Sequence, residues 1–317
     1  MRATGAANAS WYAARGRPRR ERRCALSKYH RLCVVLSGAV LWTLVAPALA
    51  QDATPGKSGY TLFNPTPDAD LRAFSTDRPP KANSPYTVDA GHFQYETDLV
   101  VFGKGEAGSV KTQDWTVLDP TLKVGVNNTI DAELQITPYE SVRTTGASAA
   151  PGGANAGSLS GIGDTYARLK WNVLGDDRGD VAVALLPYIK LPTAHAGLGN
   201  DRVECGLIVP ISVSAPGGFT VIVMPEGDYL KDSSDSGYHG AFDILVNVSH
   251  ALDARWTVYT EAFTSRTFSA HNQPVYTLDE ALTFAITPNL QLDFGGNFSL
   301  NAVAPRVQLY TGLSQRF

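Results

Sequence analysis

Most of this chain alternates between apolar and polar side chains with a period of two. In the segment LQLDFGGNFSL, residues 290–300, Leu292 and Phe294 have one parity, whereas Asp293 and Asn297 have the other. A helix would mix these two sets on one face, whereas a β-strand places them on opposite faces. The alternation therefore predicts an all-β protein.

The same alternation recurs along the chain in segments of ten residues or more. Counting these segments predicts about twelve strands, at roughly 92–102, 113–126, 129–142, 163–174, 181–192, 202–213, 219–230, 239–250, 255–267, 275–286, 290–300 and 305–317.

The predicted connections between these strands differ in length on their two ends. Five are tight turns, as at 127–128 and 287–289, and six are mostly longer loops, including 103–111 and 144–161. Short turns on one end and long loops on the other are typical of barrels in the bacterial outer membrane. The predicted fold is a transmembrane antiparallel up-and-down β-barrel of about 12 strands over residues 92–317.

A soluble β-sandwich or jelly roll would also alternate, but its turns need not alternate between short and long. The last residue, Phe317, also favours the barrel, because an aromatic side chain sits well at the lipid interface of the periplasmic rim. The ending resembles the C-terminal signal that the barrel assembly machinery reads, although Gln315 departs from its pattern. Outer-membrane lipid and that machinery, through Phe317, are therefore the expected macromolecular partners.

Residues 1–50 have the composition of a secretory signal peptide. A basic stretch is followed by an apolar run over 33–46 and by the small-residue sequence Ala-Leu-Ala that ends at Ala50. This order predicts export and cleavage after Ala50. An uncleaved anchor is the alternative, but the apolar run is shorter than the ~20 residues that span a bilayer. The stretch from Leu26 would alone make a signal of ordinary length, so we expect the translation start near residue 26.

Removal of this leader changes the charge of the protein. Nine of the 27 basic residues and one of the 30 acidic residues fall in 1–50, which leaves a net charge of −11 on the mature chain. An acidic exported protein is poorly suited to nucleic acid, whose phosphates require Lys and Arg. The predicted localisation is the outer membrane of a Gram-negative cell.

Residues 51–91 lack periodicity and are rich in Pro, Asp and Ser. One interpretation is a disordered periplasmic tail. The other is a plug-like segment packed in or against the periplasmic mouth, for which Phe63, Phe74 and Tyr86 supply apolar contacts.

The mature chain carries several motifs of one bacterial family in the right order. They are FSTDRPPKANSPYTVDAGHFQYET, GIGDTYARLKWNVLG, PYIKLPTA, GLIVPISV and the closing YTGLSQRF. Together they resemble the family described as "putative MetA-pathway of phenol degradation". The resemblance implies an outer-membrane barrel encoded near pathways for aromatic or other hydrophobic compounds, with a transport role and no agreed catalytic or ligand residues.

Motifs for catalysis are absent from the sequence. There is no G-x-S-x-G elbow, no H-E-x-x-H and no C-x-x-C. No catalytic residue, cofactor or metal site is therefore predicted, and the protein is not expected to be an enzyme.

The polar parity of the strands is predicted to face the lumen, because a Lys or Arg facing lipid at the midplane costs ~2–4 kcal/mol. Glu280 breaks the rule, which predicts a bulge or slipped register at that residue. The lumen-lining residues could form a hydrated path that favours cations or neutral solutes, or they could pair across strands and hold the barrel closed. The predicted set is Glu96, Asp98, Lys123, Asp131, Glu133, Arg168, Lys170, Lys190, Glu204, Glu226, Asp243, Glu261, Asp279 and Asp293.

The predicted function is passive uptake of small solutes through this barrel, and the resemblance implies aromatic or hydrophobic ones. One alternative is a closed structural or adhesion barrel without conductance. A less favoured alternative is a barrel enzyme of the membrane phospholipase type, which needs a Ser and a His close together on one wall.

Overall fold

A computed structural model describes residues 57–107, 109–146, 156–177, 179–232, 237–268, 273–303 and 305–317. The predicted signal peptide, its cleavage after Ala50 and the predicted start near residue 26 lie outside these residues.

Fifteen β-segments form one antiparallel sheet, and three pairs of segments are single strands interrupted by a short break. The sheet therefore has twelve strands, as the alternation predicted. They are β1 (Phe93–Ala107), β2 (Val110–Asn127), β3 (Ile130–Gln135 and Tyr139–Thr145), β4 (Gly157–Gly161 and Thr165–Leu174), β5 (Val181–Leu191), β6 (Glu204–Ile208 and Ile211–Ala215), β7 (Phe219–Lys231), β8 (Tyr238–Ala251), β9 (Trp256–Thr267), β10 (Val275–Thr287), β11 (Leu290–Ser299) and β12 (Val307–Arg316).

The sheet closes on itself because the first strand pairs with the last. Gln94 of β1 lies opposite Arg316 of β12, and the pairing continues to Lys104 opposite Val307. Phe317 completes the closure at the rim, where its amide donates to the Phe93 carbonyl at 2.8 Å. The predicted closed antiparallel barrel is thus confirmed. In the described part of the chain, no helix is long and apolar enough to span a bilayer.

The outer surface of the barrel carries the apolar parity of the strands. Leu134, Leu169, Val246 and Phe294 are each more than 40% exposed. In a soluble protein such residues would form the core, so their exposure in a continuous band shows a surface that faces lipid.

The first connection is shorter than predicted. The predicted loop 103–111 is wrong, because β1 and β2 continue as a hairpin to Ala107 and Val110. In this part the outward residues are polar, with Lys104 opposite Gln113. The end of the apolar alternation therefore marks the point where the strands leave the membrane, and not the point where they end.

Glu280 does not sit at a bulge, so that prediction is also wrong. The register between β9 and β10 is continuous through Thr260 and Glu280, and the irregularity lies between Ala285 and Thr287. Glu280 is instead exposed on the outer wall, where the Thr260 hydroxyl donates to its Oε2 at 2.8 Å.

Candidate functional site: the barrel lumen

Residues 72–90 form a loop inside the barrel, which we call the lumen hairpin. Its base is tied to the tight-turn end of the barrel, since the amide of Gly91 donates to the Gly125 carbonyl at 2.9 Å. Its two arms are joined by the Ser84 amide, which donates to Asp77 Oδ1 at 2.7 Å. The hairpin therefore enters the lumen from the end where Phe317 closes the sheet.

The first arm of the hairpin carries an aspartate that is bound by two lysines of the wall. Lys170 Nζ donates to both carboxylate oxygens of Asp77 at 2.8 Å, and Lys123 Nζ also donates to Asp77. Burial raises the pKa of Asp77, but the ammonium groups of Lys123 and Lys170 outweigh burial and hold this pKa well below its ordinary value. Glu133, 3.2 Å from Lys170, balances the second positive charge.

Arg78 binds two carboxylates, one on β1 and one on β11. Its Nη1 lies 2.8 Å from Asp98 Oδ1, and its Nη2 and Nε lie 2.7 and 2.9 Å from the two oxygens of Asp293. The bidentate geometry with Asp293 is the strongest form of such a pair. Gly312 of β12 makes this approach possible, because a Cβ at that position would overlap the guanidinium.

The tip of the hairpin is held by two further acidic residues. Lys81 pairs with Asp279 of β10, and Glu261 of β9 accepts the amides of Lys81 and Ala82 at 3.2 and 3.0 Å. Backbone donors that would otherwise be buried without partners are thus satisfied by the wall.

A second network fixes the base of the hairpin. Arg72 lies 2.9 Å from Asp89 and 2.6 Å from Asp176 in the turn after β4. Arg316 lies 3.2 Å from the same Asp89 and donates to the Arg72 carbonyl at 2.9 Å. The charges of the hairpin are therefore matched by the wall at its base, arm and tip.

All fourteen residues predicted to line the lumen are buried, at no more than 7% exposure. The structure brings them together in separate groups, and several of them contact the lumen hairpin as well as neighbouring strands. One group surrounds Asp77, a second binds Arg78, a third holds the tip, a fourth joins Lys190 to Glu204 at 2.9 Å, and a fifth contains Glu226 and Asp243. The group around Asp77 contains Glu96, Lys123, Glu133 and Lys170, with Arg168 and Asp131 beside it. The other four groups, in the same order, are Asp98 and Asp293; Glu261 and Asp279; Lys190 and Glu204; and Glu226 and Asp243.

The sequence interpretation missed an apolar band on the inner wall. It runs across β5 to β9 and also contacts Ala82 of the lumen hairpin. The signal was present, because VAVALLPYIK and FTVIVMP are apolar on both parities. Its members on these five strands include Leu186, Ile208, Met224, Leu245 and Phe263, and Tyr166 of β4 and Val275 of β10 extend it; none of these is more than 9% exposed.

The space left beside the hairpin is small. A cavity of about 30 Å³ lies between the hairpin and the charged wall, lined by Arg78, Pro80, Asp119, Gln135 and Arg168 among others. This volume holds about two water molecules. This cavity is too small to hold an organic solute the size of toluene.

The described histidines do not form a catalytic pair with a serine. His92 bonds the carbonyls of Thr66 and Phe317, and His239 bonds Asp232. His195 and His250 bond backbone carbonyls. Within the described ranges, no serine hydroxyl is a hydrogen-bond partner of a histidine, as the phospholipase alternative would require.

Comparisons with known proteins agree with this architecture. The family described as "Putative MetA-pathway of phenol degradation" matches residues 76–317. The barrel is similar to the COG4313 outer membrane channel from Pseudomonas putida F1, with 14% identity, a TM-score of 0.52, and coverage of 71% of this chain and 93% of that one. No curated protein matches the sequence.

Weaker similarities extend to other outer-membrane barrels. The CymD monoaromatic hydrocarbon channel has 13% identity and a TM-score of 0.39 over 71% of this chain and 87% of its own. The Ralstonia pickettii toluene transporter TbuX has 9% identity and a TM-score of 0.39 over 71% and 89%.

Proposed function

Because the chain belongs to the family described as "Putative MetA-pathway of phenol degradation", we propose that this outer-membrane barrel is a passive channel for small apolar solutes, aromatic ones included. The similar barrels are named as channels and transporters. The protein would move its solute down a gradient and would carry out no chemistry on it.

The observation that carries this proposal is the apolar band inside the lumen. A channel for sugars or ions needs polar groups along its whole inner wall, because these groups replace the water molecules that the solute loses. Here Leu186, Leu245 and Phe263 belong to a buried apolar cluster that spans β5 to β9 on the inner wall. An apolar solute gains by contact with such a cluster, at about 25 cal/mol for each Å² removed from water.

We further propose that residues 51–91 are a plug and residues 92–317 the conducting barrel. The lumen hairpin covers the apolar band at Ala82 and fills the space beside it, so solute passage requires its displacement. Those of the fourteen charged residues that contact the hairpin then hold and release it, and any preference for cations comes second. Recognition of Phe317 by the barrel assembly machinery is proposed on the strength of its place at the closing rim.

The test is uptake by a Gram-negative host, whose lipopolysaccharide layer slows apolar solutes. Cells with equal amounts of each variant in the outer membrane would receive labelled toluene, benzoate or glucose. We expect the natural sequence to raise the initial rate for toluene several-fold and to leave that for glucose unchanged.

Leu245 supplies the matched pair of variants. Leu245→Asn places an amide in the apolar band and should abolish most of the gain for toluene, whereas Leu245→Met keeps the band apolar and should retain it. Equal uptake of glucose and toluene would instead indicate a general pore. No gain for any solute would favour the closed structural barrel.

A further inference from the structure

Three carboxylates meet in the lumen on the outer side of the apolar band. Glu226 and Asp228 lie on the inward parity of β7, and Asp243 of β8 lies directly opposite Glu226. One oxygen from each lies within 4.8 Å of the others. Their exposures are 3%, 9% and 6%, so water covers very little of them.

Two oxygens of this cluster have no hydrogen-bond partner among the residues that the structure describes. Glu226 Oε1 and Asp243 Oδ1 are both fully buried and unsatisfied. Glu133 and Asp279 also have an unsatisfied oxygen, but each has a lysine ammonium within 4 Å. No Lys, Arg or His within the described ranges forms an ion pair with Glu226, Asp228 or Asp243.

Burying carboxylates without a compensating charge is costly, by several kcal/mol for each ion. The cluster must therefore take up protons or bind a cation. Its geometry suits a cation, because one oxygen of each carboxylate lies within 4.8 Å of the others, and Glu226 Oε1 and Asp243 Oδ1 are buried without a hydrogen-bond partner in the described residues. Three carboxylates with oxygen ligands alone are typical of a hard divalent ion such as Ca²⁺.

The surroundings also orient one ligand. The Tyr188 hydroxyl donates to Asp228 Oδ1 at 2.6 Å, which fixes the rotation of that carboxylate and leaves Oδ2 for a ligand. Gly206 lets Tyr188 and Asp228 approach, since a Cβ there would overlap both. An outer shell that fixes a ligand in this way is a regular part of metal sites.

We propose that Glu226, Asp228 and Asp243 bind a divalent cation of the Ca²⁺ class inside the barrel. The sequence carries no motif for it, because the ligands come from two strands and one pair lies fifteen residues apart along the chain. The bound ion joins β7 to β8 and neutralises the lumen just outside the apolar band. This site does not depend on which solute the channel carries.

The test uses the full chain in detergent, treated with a chelator and then freed of it. Terbium is the probe, because nearby tyrosine sensitises its emission, and CaCl₂ is the competitor. We expect sensitised emission that Ca²⁺ abolishes, and binding of about one Ca²⁺ per chain by calorimetry. The double variant Glu226→Gln/Asp243→Asn should weaken Ca²⁺ binding at least tenfold, whereas Asp68→Asn/Glu106→Gln, which removes the same charge elsewhere, should not.

Tyr188→Phe gives a readout that does not depend on removing a ligand. It should lower terbium emission by more than half while Ca²⁺ affinity changes no more than about threefold. Unchanged emission would place the ion elsewhere and overturn the proposal. Absence of Ca²⁺ binding at millimolar concentration would also overturn it, and would show that protons neutralise the cluster.

Discussion

At the scale of single residues, Gly312 shows how one missing side chain permits the lumen hairpin to dock. Gly312→Ala should displace Arg78 from Asp293, since the new Cβ occupies the space of the guanidinium. We expect a loss of about 1–3 kcal/mol, the usual effect of overpacking, in urea unfolding from lipid vesicles. Trypsin should also cleave faster after Lys81.

The matched control is Gly227→Ala, because a Cβ at that position meets nothing within 4 Å. It should unfold and resist trypsin like the natural sequence. If both glycine variants behaved alike, close packing at Arg78 would have no part in holding the hairpin.

Glu280 presents the opposite case, a charge on the surface that faces lipid. Glu280→Leu should stabilise the folded barrel in vesicles by roughly 1–2 kcal/mol, below the ~2–4 kcal/mol found for Lys or Arg at the midplane. Glu106→Leu should have little effect, because Glu106 lies at the end of β1, beyond the part of the outer surface that faces lipid. A loss of stability in Glu280→Leu would show that the carboxylate has a favourable partner besides Thr260.

At the scale of elements, the lumen hairpin should respond to acid through Asp77. Its folded pKa lies below the ordinary value, so its ion pairs with Lys123 and Lys170 stabilise docking above pH ~3.9. That stabilisation declines once the pH falls below this value and is fully lost only below the much lower folded pKa.

We therefore expect the current through single barrels in planar bilayers to be constant between pH 5 and 8 and to rise in strong acid. Asp77→Asn should already show the higher current at pH 7 and should respond less to acid. A rise centred near neutral pH would contradict the assignment of Asp77 as the controlling group.

Sequence patterns predicted the strands well, but they left open whether residues 51–91 are a disordered tail or pack in or against the mouth of the barrel. A strand of ten residues repeats its alternation often enough to be recognised, and lipid imposes that alternation on every strand. Residues 72–90 have no period, because their side chains meet different partners one at a time. Asp77 and Arg78 therefore carry no signal by themselves, and their partners lie in β1, β2, β4 and β11.

The same contrast applies to the lining residues. Parity predicted which residues point away from lipid, and all fourteen are buried. Parity could not show that Lys123 and Asp279 contact the hairpin and not only neighbouring strands. A rule of polar interiors could not find the apolar band, because residues 181–189 of β5 and 219–225 of β7 are largely apolar on both faces.

At the scale of the whole molecule, we propose a lipid-facing cylinder whose interior carries charged groups and an apolar band and is closed by its own N-terminal segment. The charges of the lumen hairpin are matched by the wall, so its docked state needs no external partner. Opening must break buried ion pairs, each of which is costly to separate. The molecule should therefore rest closed and open only when something else stabilises the displaced hairpin.

The most direct measurement of this claim is single-channel conductance of the natural sequence beside Arg78→Met/Lys81→Met, which removes both cations that bind the hairpin to Asp98, Asp293 and Asp279. The control is Lys104→Met/Arg202→Met, which removes two exposed cations. We expect small, infrequent currents for the natural sequence and the control, and currents at least fivefold larger for the hairpin variant. Equal conductance in all three would show that the hairpin does not close the lumen.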